Sequence, residues 1–167
     1  MSLFKGETLT TSSSAGVLEF ISTTDVDEGS VKIEILEGFS TDYNNYYLYG
    51  ENLKNKITDS SMGVSFYING SLYSGSYAWY NQSGSYVSNA NWFTVMNITP
   101  QTGKGLFVSI INANGGLPVV TIEAPFAVVK SGSIGIAGNL TGLSFLLLEN
   151  NRPFDSGKIH LYGVKKP

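Results

Sequence analysis

The chain has no cysteine, one histidine (His160) and one arginine (Arg152), and charged residues make up only 14% of it. Each scarcity excludes something. Without cysteine there is no disulfide framework, no thiolate nucleophile and no Cys-ligated zinc. A net charge of -3 with ten scattered cations argues against nucleic acid as a partner, because phosphate binding relies on clustered Lys and Arg that release counterions. No apolar run approaches the ~20 residues of a membrane span; the nearest is "GLSFLLLE" at 142–149, so no membrane insertion is expected. Met1-Ser-Leu-Phe4-Lys-Gly-Glu lacks the basic stretch and apolar core of a secretory leader, so none is expected either.

Helical periodicity is scarce as well. The best short candidate, "GENLKNKITDSS" (50–61), has few apolar residues and reads as a loop. What is abundant is glycine, with 19 residues, and tyrosine, with 10, among many Ser, Thr and Asn residues. Short segments with period-2 alternation recur between turn clusters. In "SVKIEILE" (30–37), Val31, Ile33 and Ile35 alternate with Lys32 and Glu34, and "GVLEFIS" (16–22), "NYYLYG" (45–50), "MGVSFYING" (62–70) and "KGLFVSIIN" (104–112) are of the same kind. Asn69-Gly70, Ser74-Gly75 and Asn112-Ala-Asn-Gly-Gly supply residues that tolerate positive φ, as tight hairpins demand. The apolar run "GLSFLLLE" is expected to be covered on both faces.

About ten short strands with Gly-rich turns and no helical punctuation indicate an all-β fold, an antiparallel β-sandwich of jelly-roll type. Residues 16–167 are read as one such domain, a size at which about 70% of the unfolded surface is buried. Residues 1–15 are read as a flexible or swapped N-terminal arm. The closing "FDSGKIHLYGVKK" places Ile159 and Leu161 on one strand face and Lys158, His160 and Tyr162 on the other. It is expected to pair beside an early strand, with Gly163 at a bulge or a close backbone approach.

Three stretches, "IEILEGFSTDYNNYYLYGENLK", "VSFYINGSLYSGSYAWY" and the terminal "SGKIHLYGVKK", give the chain a more particular likeness. Over residues 30–167 it resembles a family of bacteriophage virion proteins whose members end in a G-x-I-x-L-Y-G-[IV]-K pattern. Here the pattern is carried by Gly157, Ile159, Leu161, Tyr162 and Gly163, while the proline usual in the earlier segment is replaced within "EGFSTDY". The resemblance implies a β-sandwich module of the tail, a fibre or the capsid surface, located in the virion, non-enzymatic and free of cofactors. The implied partners are other virion proteins, further copies of the chain (a homotrimer favoured) and a host-surface glycan.

Rigid aromatic rings among small polar residues make recognition surfaces. Tyr73, Tyr77, Trp79, Tyr80 and Trp92 are therefore candidates for a glycan or receptor surface, with core or subunit packing as the other reading. A monomeric carbohydrate-binding module using these rings is the alternative function. Tyr47 and Tyr49 share a strand face and divide in the same way. His160 beside Asp155 and Ser156 does not read as a triad, because neighbours on one extended strand point apart. "DVDEG" (25–29) reads as a solvated turn rather than a calcium loop, and a glycosidase pair such as Glu34 with Glu123 has only composition behind it. Neither a catalytic nor a metal site is expected.

Overall fold

The computed structural model describes residues 16–57, 59–75, 77–80, 86–87, 93–123, 130–149 and 152–166. Among them there is no helix. The strands are β1 (Leu18–Asp25), β2 (Lys32–Ile35), β3 (Tyr43–Asn55), β4 (Ser60–Ile68), β5 (Ser71–Leu72), β6 (Tyr77–Tyr80), β7 (Tyr86–Val87), β8 (Phe93–Ile98), β9 (Lys104–Ile111), β10 (Val119–Glu123), β11 (Lys130–Ile134), β12 (Leu140–Leu147) and β13 (Phe154–Lys165). They form two antiparallel sheets, one of eight strands in the order β1-β13-β3-β9-β10-β11-β6-β7 and one ordered β2-β12-β4, with β5 and β8 both pairing to β4. This is the expected jelly-roll-like β-sandwich.

Alternation decides which side chains meet between the sheets. From the large sheet, Tyr46, Leu48 and Leu53 of β3 and Leu106, Val108 and Ile110 of β9 are buried; from the small sheet, Ile33, Ile35, Val64, Phe66, Leu143 and Phe145 join the same cluster. Tyr46 is the one core ring here with a polar tip. Its hydroxyl donates to the Ser40 carbonyl at 2.8 Å and accepts from the Ser40 amide at 2.7 Å. Burial pushes this phenol up from its ordinary value, so it remains a donor.

The terminal strand does more than lie beside an early one. β13 is inserted between β1 and β3, in register with both along most of its length, and Ile159 and Leu161 are each 1% exposed. Gly163 is the expected close approach, because a side chain there would run into the ring of Tyr43. Gly157 sits at a bulge opposite β3 with φ +142, where a Cβ would come within 2.7 Å of Leu53.

Three expectations are corrected. The segment 50–61 is not a loop: β3 runs on to Asn55, held by the pairing of Phe154 with Asn55, and β4 begins at Ser60. The polar sequence hid this because only Leu53 and Asn55 turn inward, and Asn52 at φ +51 breaks the alternation. Val31 does not share the burial of Ile33 and Ile35; it precedes β2 and is 48% exposed. "GLSFLLLE" is covered on both faces only in part: Leu143, Phe145 and Leu147 are buried, whereas Leu146 and Leu148 are half-buried. On its outer side Ser144 is buried beside Ser65 of β4.

The two outer faces of the sandwich differ in kind. On the small sheet, Lys32 and Glu34 pair at 2.5 Å, Tyr67 donates its hydroxyl to Glu34, and Lys32 Nζ lies 3.2 Å from that hydroxyl. Lys32, Glu34 and Tyr67 thus satisfy one another on this flank. Lys32 and the Tyr67 hydroxyl hold the Glu34 carboxyl below its ordinary value, as Lys165 and Tyr43 do for Glu19. Depressed carboxylates favour the fold when ionised, so their contribution is complete above the ordinary carboxyl pKa and is lost as pH falls through the lowered folded value. The melting temperature should therefore be flat from about pH 8 to 6 and fall below about pH 4.5. Glu34→Gln should make that acid-limb fall shallower in a scanning-calorimetry pH series.

Candidate functional site

The outer face of the large sheet is where rings collect. The alternation that sends Tyr46, Leu48 and Gly50 inward sends Tyr47 and Tyr49 outward. Gly50 faces the core because a Cβ there would come within 2.8 Å of Leu53 and 3.2 Å of Leu106. Cross-strand register then aligns the neighbours. Phe20 stands opposite Tyr162, Tyr162 opposite Tyr47, and Tyr47 opposite Ser109. In the next row Thr23 stands opposite His160, His160 opposite Tyr49, and Tyr49 opposite Phe107.

Adjacent rings on one pleated face lie close enough to interact. Phe20 meets Tyr162 edge-on, with centroids 5.6 Å apart at 70°. Tyr47 stacks on Phe107 at 6.0 Å and 27°, and Tyr49 on His160 at 6.1 Å and 14°. Three ring pairs thus span β1, β13, β3 and β9. Phe20 is 60% exposed, Tyr49 46% and Phe107 38%, so these rings keep much of their surface in solvent while packing on one another.

One side of the aromatic rows is aliphatic and the other is charged. Leu18 of β1, Ile111 of β9 and Val119 of β10 are all exposed, and Ile111 and Val119 are paired in register. Beyond the opposite row, Asp25, Lys158 and Glu51 lie in register, and Lys158 Nζ is 3.4 Å from Asp25. His160 links the rings to this charged row: Nδ1 is 2.8 Å from Thr23 Oγ1 and Nε2 is 3.7 Å from Glu51. An isolated exposed phenylalanine is ordinary, but contiguous apolar surface on this scale marks a contact site.

The described sequence-based candidates Tyr73, Tyr77, Trp79 and Tyr80 lie outside β1, β13, β3 and β9. Tyr73 follows β5 in the small sheet, is half-buried and packs against the core. β6, with Tyr77, Trp79 and Tyr80, belongs to the large sheet, so the stretch 71–86 crosses between sheets and does not form one continuous aromatic strand. In the backbone register Trp79 stands opposite Gly132 and Tyr80 opposite Ser131. Trp92 lies outside the described residues, as does much of 81–92. The signal lay in "VLEF", where Leu18 and Phe20 share the outer face, and in "LFVSII", apolar on both faces, where Leu106, Val108 and Ile110 enter the core and Phe107 and Ile111 face outward.

Catalytic arrangements are not assembled by the described residues. Ser156 Oγ donates to the neighbouring Asp155 at 3.3 Å and does not reach His160 as its partner. Glu34 and Glu123 are exposed on strands of opposite sheets, Glu34 between buried Ile33 and Ile35 and Glu123 beside buried Ile122, and so point away from one another. Among the described residues no group of three His, Asp or Glu side chains is placed to hold a metal ion.

No protein-family model and no curated protein matches the chain. Among solved structures it is similar to the Caenorhabditis elegans galectin LEC-6, with 12% identity over 81% of this chain and 94% of that one and a TM-score of 0.40. It is also similar to scytalido-glutamic peptidase with a transition state analog inhibitor, with 15% identity over 78% of this chain and 66% of that one and a TM-score of 0.33. Neither likeness is close enough to transfer a ligand or an activity.

Proposed function

We propose that the chain is a non-enzymatic structural module of a bacteriophage virion, a tail, fibre or capsid-surface β-sandwich that assembles through the outer face of its large sheet. The observation that carries this reading is the asymmetry of the two flanks. The small-sheet flank joins Lys32, Glu34 and Tyr67 in a hydrogen-bonded network beside exposed Leu36 and Leu72, whereas the large-sheet flank leaves Leu18, Phe20, Tyr49, Phe107, Ile111 and Val119 exposed on one side of one sheet. Oligomer interfaces are richer in apolar and aromatic residues than free surface, and burying about 800 Å² per partner is typical of a stable contact. The terminal motif that gives the family resemblance supports the reading from a second side, because Tyr162 is itself one of the outer rings.

The test is a pair of variants. Phe20→Ser with Phe107→Ser removes two exposed rings, neither of them in the core, and should leave the fold intact while dispersing self-association in sedimentation velocity. Lys32→Ala on the opposite flank should leave association unchanged. If both variants sediment like the parent, the outer face is not the assembly surface.

Carbohydrate binding is a second reading, favoured by one feature. The stacked Tyr49–His160 pair adjoins hydroxyl and carboxyl groups at Thr23 and Glu51, and apolar ring faces beside hydrogen-bonding groups suit a sugar ring. On this reading the protein is a monomer, and Tyr49→Ala weakens glycan affinity about tenfold or more, a loss of about 1.4 kcal/mol.

A further inference from the structure

Between β1 and β2 the sandwich opens into a groove of about 290 Å³, with Ser22 to Thr24 on one wall and Glu34 to Glu37 on the other. The phase of β1 decides which of its side chains turn inward. Leu18 and Phe20 lie on the outer face, but a bulge between Phe20 and Ser22 shifts the register by one residue. Ser22 then stands opposite Leu161 and Thr24 opposite Ile159, and directly opposed residues share a face. Leu161 and Ile159 belong to the core, so two hydroxyl side chains occupy inward positions that alternation would give to apolar ones.

The groove is bounded at both ends. Gly38 continues the wall of Glu37 onto β1, where a Cβ would come within 2.6 Å of Ile21 and 3.0 Å of Leu161. At the other end residues 26–31 join the two walls through the chain itself, with Val26 buried and its amide donating to the Gly157 carbonyl at 3.0 Å. Buried Ile35 and exposed Leu36 supply an apolar lining. Among the described residues the side chains of Ser22, Thr24 and Glu37 form no hydrogen bond or ion pair, so their donors and acceptors are available to a ligand.

We propose that this groove binds a single neutral sugar ring. A pyranose presents an apolar C–H face and a rim of hydroxyls. Ile35 and Leu36 suit the first, while the Ser22 and Thr24 hydroxyls and the Glu37 carboxylate suit the second, since a hydroxyl both donates and accepts and a carboxylate accepts. Charge selects among sugars. Among the described residues no Lys or Arg lines the groove, and Glu34 is paired with Lys32, so the carboxylate of Glu37 is left to repel an anionic ligand. The volume lies at the lower limit of small-molecule sites, which suits one ring rather than several. Ser22 and Thr24 face away from the Tyr49–His160 stack, and the proposal does not rest on assembly through the outer face.

Amide-resolved NMR titration of the full-length protein provides the test, with the methyl glycosides of glucose, galactose and mannose as neutral probes and that of glucuronic acid as the anionic one. At least one neutral glycoside should shift the amides of Ser22 to Thr24 and of Ile35 to Glu37 together, with a saturable millimolar dependence, and the glucuronide should not. Thr24→Val, which keeps the branched shape, and Glu37→Gln should each weaken that binding about three- to tenfold, the loss of one hydrogen bond, while Tyr49→Ala leaves it unchanged. The proposal is overturned if no neutral glycoside shifts these amides, if the shifts fall instead around Tyr49 and His160, if the glucuronide binds as well as the neutral sugars, or if both groove variants bind like the parent. Sedimentation of the Phe20 and Phe107 variants reports on the outer aromatic face independently of each of these results.

Discussion

Deleting residues 158–167 should abolish cooperative unfolding altogether. The deletion removes most of β13, which is not an edge strand but the second strand of the large sheet, bonded to β1 on one side and β3 on the other. Two core side chains, Ile159 and Leu161, leave with it, each contributing about 1.5–3 kcal/mol by burial. The larger loss is architectural. β1 has no other strand partner among the described residues, and β3 would expose an edge of up to 13 residues over the core. Against a net stability of about 5–15 kcal/mol, these losses together exceed what the fold can absorb. The measurement is thermal unfolding followed by near-ultraviolet circular dichroism. A cooperative transition near the full-length midpoint would show that the closing motif is a peripheral tag and that the observed register does not govern stability.

Phe145→Ala should be the most costly kind of single core substitution. Phe145 lies on β12, the strand between β2 and β4, is 0% exposed and belongs to the cluster that joins the sheets. Truncating a buried phenylalanine costs about 3–5 kcal/mol, because the packed surroundings only partly fill the cavity. In a domain of this size that corresponds to a fall in Tm on the order of 10 °C. Leu146→Ala, one residue on and half-buried on the opposite face, is the control and should cost markedly less. Equal losses from the two would mean that the outer face of β12 is covered as thoroughly as the inner one.

Legibility in the sequence followed the physics of alternation. Where one face of a strand is buried and the other wet, as in "KIEI" or "GKIHLYG", the period of two is plain, and strand, face and core residues can be assigned together. The closing strand is the best case: Ile159 and Leu161 inward and Lys158, His160 and Tyr162 outward are as the pattern indicates. Asn69-Gly70 was equally readable, and it turns the chain from β4 into β5 with φ of 51 and 80.

The candidate site was less legible for the same reason. A strand such as "KGLFVSII" is apolar on both sides, so pattern alone cannot say which side is core, and Phe107 and Ile111 were passed over. Aromatic density along the chain, as in 71–92, does not say which rings share a face. Phe20, Tyr162, Tyr47 and Phe107 are far apart in sequence and become neighbours only through the register of β1, β13, β3 and β9. Long-range pairing of this kind cannot be read from local spacing. The extension of β3 to Asn55 was hidden similarly, by a positive-φ asparagine in the middle of its polar end.

The central claim, that the aromatic outer face of the large sheet is an assembly surface, is tested most directly by the solution mass of the unmodified protein. Size-exclusion chromatography with light scattering should find a stable oligomer, a trimer near three times 18.0 kDa, that persists on dilution to low micromolar concentration. A clean monomer at every concentration, with the outer rings left in water, would contradict self-assembly through this face.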